Sequence, residues 1–324
     1  MKIANSSFSR VLLLLVALAG FASVARATEN GGSVWPLGSE SYGVAAATGA
    51  PGQTLLFEYT CVATANEMDD ANGKKIPLNF KVRVFAVAGE LEHNWGVKFL
   101  GGQLESHMGV PFIYQHMKVG ETTYNTENLN NINIVPFNVM YHKGDFSWLY
   151  ELQFQTVAPG YQKSATPNNI GQHNTAMTPA AWITYAPHKG AQNFTLGIDY
   201  IVNNANHDTH YHSGNELQIT YDAQQKFAHK RGTIGLDGFF YQQITEDKQN
   251  GIPVITTNVD GSKSVGYKGR VFDLGPQVTL PWGKYGTMIF KWDHDMLVQN
   301  KSKGDTFWFQ FGIPFSYLHH VSKN

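Results

Sequence analysis

Polar and apolar residues alternate with a period of two along most of this chain, and the last such run is the clearest. From Asp305 to Tyr317 the odd positions are Phe307, Phe309, Phe311, Ile313, Phe315 and Tyr317, while Thr306, Trp308, Gln310, Gly312, Pro314 and Ser316 lie between them. A period of two with one wholly apolar face predicts a β-strand with one greasy side. Eleven earlier segments read the same way. Leu55, Phe57, Tyr59 and Cys61 oppose Thr54, Glu58 and Thr60, and Phe80, Val82, Val84 and Ala86 oppose Asn79, Lys81 and Arg83. Between 145 and 157, Phe146, Trp148, Tyr150, Leu152 and Phe154 alternate with Ser147, Glu151, Gln153 and Gln155. The others run near 98–118, 129–142, 175–187, 191–204, 211–226, 231–246, 264–280 and 284–299. Alternation is weaker near 129–142 and 175–187, and Pro136 suggests a bulge.

The connections also follow a rule. Short links fall at Lys143-Gly144, Lys189-Gly190, His229-Lys230 and Trp282-Gly283, and longer polar links near 64–77, 119–130, 158–174, 204–212, 246–263 and 298–304. Only the link at 90–97 has no assigned length class. Short periplasmic turns alternating with long external loops are the pattern of a transmembrane barrel. With both termini on the periplasmic side, the strand number is even. The expected fold is therefore all-β, a transmembrane antiparallel β-barrel of 12 strands over residues 54–317. A soluble sandwich also alternates, but with a dry apolar inner face. Charges at Glu58, Lys81, Arg83, Glu151, Asp199, Glu216, Asp222, Asp237, Asp273, Lys291 and Asp293 suit water outside or a wet lumen equally. Loop alternation and the aromatic terminal strand favour the membrane.

The first residues read as a secretory signal peptide, 1–27. Lys2 and Arg10 are basic, Val11 to Phe21 is apolar, and Ala25-Arg26-Ala27 is a small-x-small cleavage site. The apolar run is shorter than the roughly 20 residues of a spanning helix. Losing Lys2, Arg10 and Arg26 from 24 basic residues leaves 21 against 25 acidic ones, a net charge near −4. That balance gives no reason to expect nucleic acid as a partner. Cys61 is the single cysteine, so no intramolecular disulfide forms. A mean hydropathy of −0.27 is compatible with a barrel, whose two faces average out.

Gly312-x-x-Phe315-x-Tyr317 resembles the C-terminal signal by which outer-membrane barrels are recognised for assembly, although Phe311 stands where a polar residue is usual and the tail 318–324 follows. Glu29-Asn-Gly-Gly with Trp35-Pro-Leu-Gly, Gly49-Ala-Pro-Gly52, Asn133-Ile-Val-Pro-Phe137, Asp145-Phe-Ser-Trp-Leu149 and Val157-Ala-Pro-Gly-Tyr161 form an ordered series. It continues through Asn174 to Tyr185, Asn206 to Gly214, Phe227 and Gly275-Pro276. Together they resemble the outer-membrane protein family associated with the meta-cleavage pathway of phenol degradation, across essentially the whole mature chain. Asn133 replaces a Gly-Asp pair frequent in that family. The resemblance implies a single-chain outer-membrane channel of about 12 strands, linked to uptake of aromatic or other small hydrophobic compounds.

The segment 28–53 is rich in Gly, Ala and Ser, and is expected to fold into the lumen, with Trp35, Pro36 and Tyr42 as a constriction; a loose periplasmic tail is the alternative. The expected pore lining is Lys81, Arg83, Phe99, Glu151, Asp237, Phe239, Tyr241, Asp273 and Trp308. Aromatic rings there offer stacking and edge contacts to a benzene-type solute, and inward charges set a transverse field. His207-Asp208-Thr209-His210-Tyr211-His212 has the composition of a metal site, but it falls in an external loop and is read as a cluster without a metal. No cofactor is expected. The chain holds no Gly-x-Ser-x-Gly elbow, His-Glu-x-x-His or phosphate loop, so an enzyme is not expected. The function implied is a passive outer-membrane channel in a monomer, meeting solutes, outer-membrane lipid and the assembly machinery. A general small-solute porin, an outer-membrane enzyme and a purely structural barrel remain alternatives. A charge-lined lumen would favour the general porin, and a ladder of inward aromatics the hydrophobic channel.

Overall fold

In the computed structural model, residues 29–162, 169–227, 232–283, 286–315 are described. The signal peptide 1–27, the turn at His229-Lys230, Tyr317 and the tail 318–324 lie outside them. Twelve strands close one antiparallel barrel. They are β1 (Thr54–Met68), β2 (Phe80–Phe99), β3 (Gly102–Val119), β4 (Asn133–Lys143), β5 (Phe146–Gln155) and β6 (Ala176–Tyr185). After them come β7 (Gln192–Asn203), β8 (Glu216–Phe227), β9 (Gly232–Gln243), β10 (Arg270–Trp282), β11 (Gly286–Gln299) and β12 (Ser302–Pro314). Each strand pairs with its chain neighbour, and β1 pairs with β12 from Leu55↔Pro314 to Met68↔Ser302, so the barrel has no free edge. Closure satisfies every ladder group inside a bilayer, where water cannot. A thirteenth strand, Thr122–Leu129, hairpins back onto the outer half of β3. No helix among the described residues is long and apolar enough to cross a membrane.

Three connections differ from expectation. Residues 90–97 are no link: β2 runs through them and turns at Leu100-Gly101, whose φ angles of 50° and 86° reverse the chain in two residues. The 119–130 stretch is mostly the extra strand rather than an open loop. The link expected at 298–304 is the two-residue turn Asn300-Lys301, on the same end as the long loops. The remaining long links all open at that end, and Leu100-Gly101, Gly144-Asp145 and residues 186–191 lie at the opposite one, the periplasmic end by the usual rule.

The outer wall carries a continuous apolar belt. Phe307 (54 % exposed), Tyr150 (58 %) and Leu236 (53 %) project from separate parts of it. Rings on adjacent strands pair along the belt, Phe290 with Phe309 at 5.1 Å and Trp292 with Phe307 at 6.0 Å between centroids. Exposed apolar surface this extensive is stable against lipid and not against water. The inner wall is mostly polar. Its largest fully buried side chains are Tyr241 and Leu149, followed by Gln155, Gln243, Gln277, Glu105 and Glu216.

The first two strands reverse the expected faces. On β1 the apolar side points inward: Cys61 is buried with Ala86 and Trp308, while Val62 is 44 % exposed. Glu58 shares the outward parity of Val62 and accepts a hydrogen bond from Thr60. On β2, Phe80 packs inward with Met68 and Met117, against Val82 and Tyr124. Lys81 and Arg83 therefore project from the outer wall and are not pore-lining. They sit near the long-loop end, where long cations reach polar surroundings while their stems cover apolar wall. Phe99 is also outside, 44 % exposed and stacked on Phe137 beside the β2–β3 turn. The register shift between Asn94 and Lys98 ends simple alternation before that ring.

Candidate functional site: the lumen and its inner segment

The described chain starts inside the barrel at the long-loop end, not in the periplasm, and descends the lumen to enter β1 at Thr54. At the top, Asn206 and Thr209 each donate to the Glu29 carboxylate at 2.7 Å, and the Glu29 amide donates to Ser213 Oγ at 3.1 Å. Burial holds that carboxyl above its ordinary value, with the two donors opposing the shift. The loop read from sequence as a histidine cluster is thus a collar around the start of the segment. His210 is exposed, His212 Nε2 meets the Asn203 carbonyl at 2.9 Å, and Asp208 pairs with His173 at 2.7 Å.

Lower down, Gln172 Nε2 donates to the Gly32 carbonyl at 2.7 Å, and Val34 is buried with Ala176 and Ile201. Trp35 donates from Nε1 to Ser39 Oγ at 2.8 Å, with its ring over Gly109. The Pro36 carbonyl accepts from the Ser39 amide at 3.3 Å, tightening the bend. Leu37 joins Phe239, Tyr241, Val271 and Val298. At Gly38, φ is +71°, and a Cβ would stand 2.8 Å from the Phe239 ring, so only glycine passes there unstrained. Lys291 donates to the Gly38 carbonyl and Gln310 to that of Ser39, while Ser41 donates to Gln277. Val44 and Ala45 then pack on Met140, Leu149, Ala180 and Trp182. Such contacts from many strands fix the segment along the whole lumen.

Glu151, Asp237, Phe239, Tyr241, Asp273 and Trp308 all face this interior and are buried. Phe239 and Tyr241 share one cluster. Asp237 pairs with Lys291 at 2.9 Å, and the Lys291 ammonium lies 5.5 Å from the Trp308 ring centroid. Trp35, Pro36 and Tyr42 lie on the luminal segment, Tyr42 beside a cavity of about 680 Å³ toward the short-turn end. Its lining mixes the apolar Leu55, Phe57, Tyr59, Leu149 and Ile289 with Glu40, Glu90, Glu92, His107 and Glu151, and Leu55 and Phe57 are the cross-strand partners of Glu92 and Glu90. The lumen is thus neither a charged tube nor an uninterrupted aromatic ladder.

Sequence reasoning missed Lys291 as a site residue, and with it Glu90, Glu92, Glu105 and His107. The alternation Glu90-Leu91-Glu92 was the available signal, hidden because 90–97 read as a link.

Residues 65–311 match the family described as "Putative MetA-pathway of phenol degradation". No curated protein matches the sequence. Among solved structures, the COG4313 outer membrane channel from Pseudomonas putida F1 superposes with a TM-score of 0.70 at 12 % identity, covering 83 % of this chain and 97 % of that one. The translocator domain of the autotransporter NalP from Neisseria meningitidis gives 0.44 at 8 % identity, covering 95 % and 98 %. A TodX mutant named as a monoaromatic hydrocarbon channel gives 0.42 at 8 % identity, covering 82 % and 91 %. The fold is that of an outer-membrane barrel, and by the match over residues 65–311 the chain belongs to the family of the MetA-pathway of phenol degradation.

Proposed function

We propose that this protein is a passive outer-membrane channel for small hydrophobic, chiefly aromatic, compounds. The 680 Å³ luminal cavity carries the reading, because Tyr42, Leu55, Phe57, Tyr59 and Leu149 give an apolar solute a wall on which to shed water. Family membership and the COG4313 channel's fold support it. Phe239, Tyr241 and Trp308 continue apolar surface upward, and Trp35, Pro36 and Tyr42 narrow the route. Ring contacts hold a solute weakly enough to release it. Passage requires the luminal segment to shift, since it packs against most of the wall. The polar inner wall supports the general porin as a second reading.

The signal peptide delivers the chain for insertion, the β12 pattern serves recognition by the assembly machinery, and a closed barrel needs no second subunit, so the working unit is a monomer in outer-membrane lipid. Initial uptake of a labelled aromatic hydrocarbon at low concentration, with and without the protein, tests the proposal. A sugar and a small organic acid serve as controls. Deletion is expected to slow only the aromatic solute. Equal loss for all three makes the protein a general porin, and no loss removes transport as its role.

A further inference from the structure

Glu90 and Glu92 alternate on the inward face of β2, and His107 on β3 is the cross-strand partner of Glu92. One ligand atom from each of the three lies within 4.8 Å of the other two. His107 Nδ1 stands 3.4 Å from Glu90 Oε1 and 3.8 Å from Glu92 Oε2, and its Nε2 stands 3.5 Å from Glu151 Oε2. The His107, Glu90 and Glu92 side chains are 7 %, 3 % and 9 % exposed. Neither ring nitrogen makes a hydrogen bond, and neither do Glu90 Oε2, Glu92 Oε1 or Glu105 Oε2. A buried imidazole aimed at carboxylates with no hydrogen bond at either nitrogen is costly unless something else satisfies it.

We infer that Glu90, Glu92 and His107 form a binding site for one divalent transition-metal cation, with zinc the best fit. Oxygen and nitrogen ligands about 2.0–2.2 Å from a zinc ion stand roughly 3–4 Å from one another, and the Nδ1-to-carboxylate separations fall in that range. An imidazole with two carboxylates suits zinc or its first-row neighbours, whereas calcium and magnesium take oxygen ligands. Glu151 meets the other ring nitrogen, in the place where a metal-bound histidine usually has a carboxylate to fix its tautomer. The charge balance points the same way. Glu40, Glu90, Glu92 and Glu151 line the cavity, and no lysine or arginine lines it among the described residues. A dication there neutralises the acids and ties β2 to β3 beneath the luminal segment. The site does not depend on the identity of the transported solute.

The test uses full-length protein purified from membranes in detergent, stripped with a chelator and titrated with zinc chloride by calorimetry. One zinc per chain is expected at micromolar affinity or tighter. Glu92→Gln and His107→Gln should each weaken binding by at least about tenfold, and His210→Gln, in the exposed loop, should leave it unchanged. Calcium chloride should not compete. X-ray absorption of the zinc-loaded wild-type protein should show a single imidazole in the coordination shell, a readout independent of any variant's folding. Absence of stoichiometric zinc binding overturns the inference, as does unchanged affinity in a folded His107→Gln barrel, which would place the ion on the loop histidines.

Discussion

Two acid-rich patches on opposite sides of the lumen solve the same electrostatic problem differently. On β8 to β11, Asp222, Asp237, Asp273 and Asp293 surround Lys291, whose ammonium lies 2.9 Å from Asp237 and 3.9 Å from Asp293 and also holds the Gly38 carbonyl. Neutral donors complete that patch: Gln224 and Gln277 reach Asp222 at 2.7 and 3.2 Å. On β2, β3 and β5, Glu90, Glu92, Glu105 and Glu151 have His107 as their one basic partner among the described residues, and its nitrogens stay beyond hydrogen-bond geometry. The first patch carries its counter-charge in the chain, fixed and wired to the luminal segment. The second needs protons or an exchangeable cation from outside. One side of the lumen is thus built as a permanent anchor, and the other can change its charge with its surroundings.

Removing the internal cation should break this difference most completely. Lys291→Met leaves three or more acids buried without their ammonium and frees the Gly38 carbonyl. Breaking a buried pair by deleting one partner costs about 3–5 kcal/mol. The expected result is a clear fall in the temperature at which the barrel loses its compact electrophoretic form. Luminal residues near Gly38 should also become accessible to a periplasmic thiol reagent in a Ser39→Cys background. A variant as stable as the parent would show that the acids on this side are already neutral and that Lys291 is not the anchor.

How much of this was legible from the chain depends on which surface sets the pattern. Lipid imposes a simple demand, so Phe307 and Phe309 of β12 read correctly as the outer face, as did Phe146 to Phe154 on β5, whereas Ile313, expected on the same face, is buried beside the luminal cavity. The lumen imposes no such rule. Where the inner wall packs against the segment or against itself, apolar residues turn inward, as Cys61 and Ala86 do beside Trp308. That is why the faces of β1 and β2 invert and why Lys81 and Arg83 were misplaced. The stretch Glu90 to Trp95 looked like a polar link because its inward residues are acids and an asparagine; only Leu91 and Trp95 betray the membrane side. The site pairings join residues far apart in sequence, Lys291 with Gly38 and His107 with Glu151, and alternation fixes a residue's face without saying what stands across the barrel.

A further acid, outside the membrane-spanning strands, sharpens the comparison because three neutral donors reach it. Asp247, in the loop after β9, accepts from the Tyr211 hydroxyl at 2.5 Å, Gln243 Nε2 at 2.6 Å and the Gly214 amide at 2.7 Å. Burial pushes its carboxyl up to about 6, the three donors only partly opposing it. With the folded value above the ordinary 3.8, the folded loop binds a proton that the unfolded chain releases. Loop stability should therefore be greatest below about pH 4 and fall as pH rises through about 6, by an amount on the order of 2–3 kcal/mol. Protection factors of the amides around Gly214 and Gly266, taken relative to the intrinsic exchange rate at each pH, should rise on acidification, and Asp247→Asn should remove the dependence. A pH-independent protection factor in the parent protein would mean that the donors fully offset burial.

The smallest effect belongs to the charges on the wrong side of the wall to matter. Lys81 lies opposite Lys118, and Arg83 opposite His116, all on outward-facing positions of β2 and β3. Exposed and without a buried counter-charge, they gain nothing from a buried partner, so Lys81→Glu or Arg83→Glu should change stability by no more than about 0.5 kcal/mol. Ion selectivity is the sharper readout. A charge inside a low-dielectric lumen acts on every passing ion, whereas one outside it is screened within about 10 Å at ordinary salt. In planar bilayers under a salt gradient, the reversal potential should be unmoved by either reversal and displaced by Lys291→Met. A shift from Arg83→Glu as large as that from the buried lysine would mean that ions pass along the outer wall, and that the lumen described above is not the conducting path.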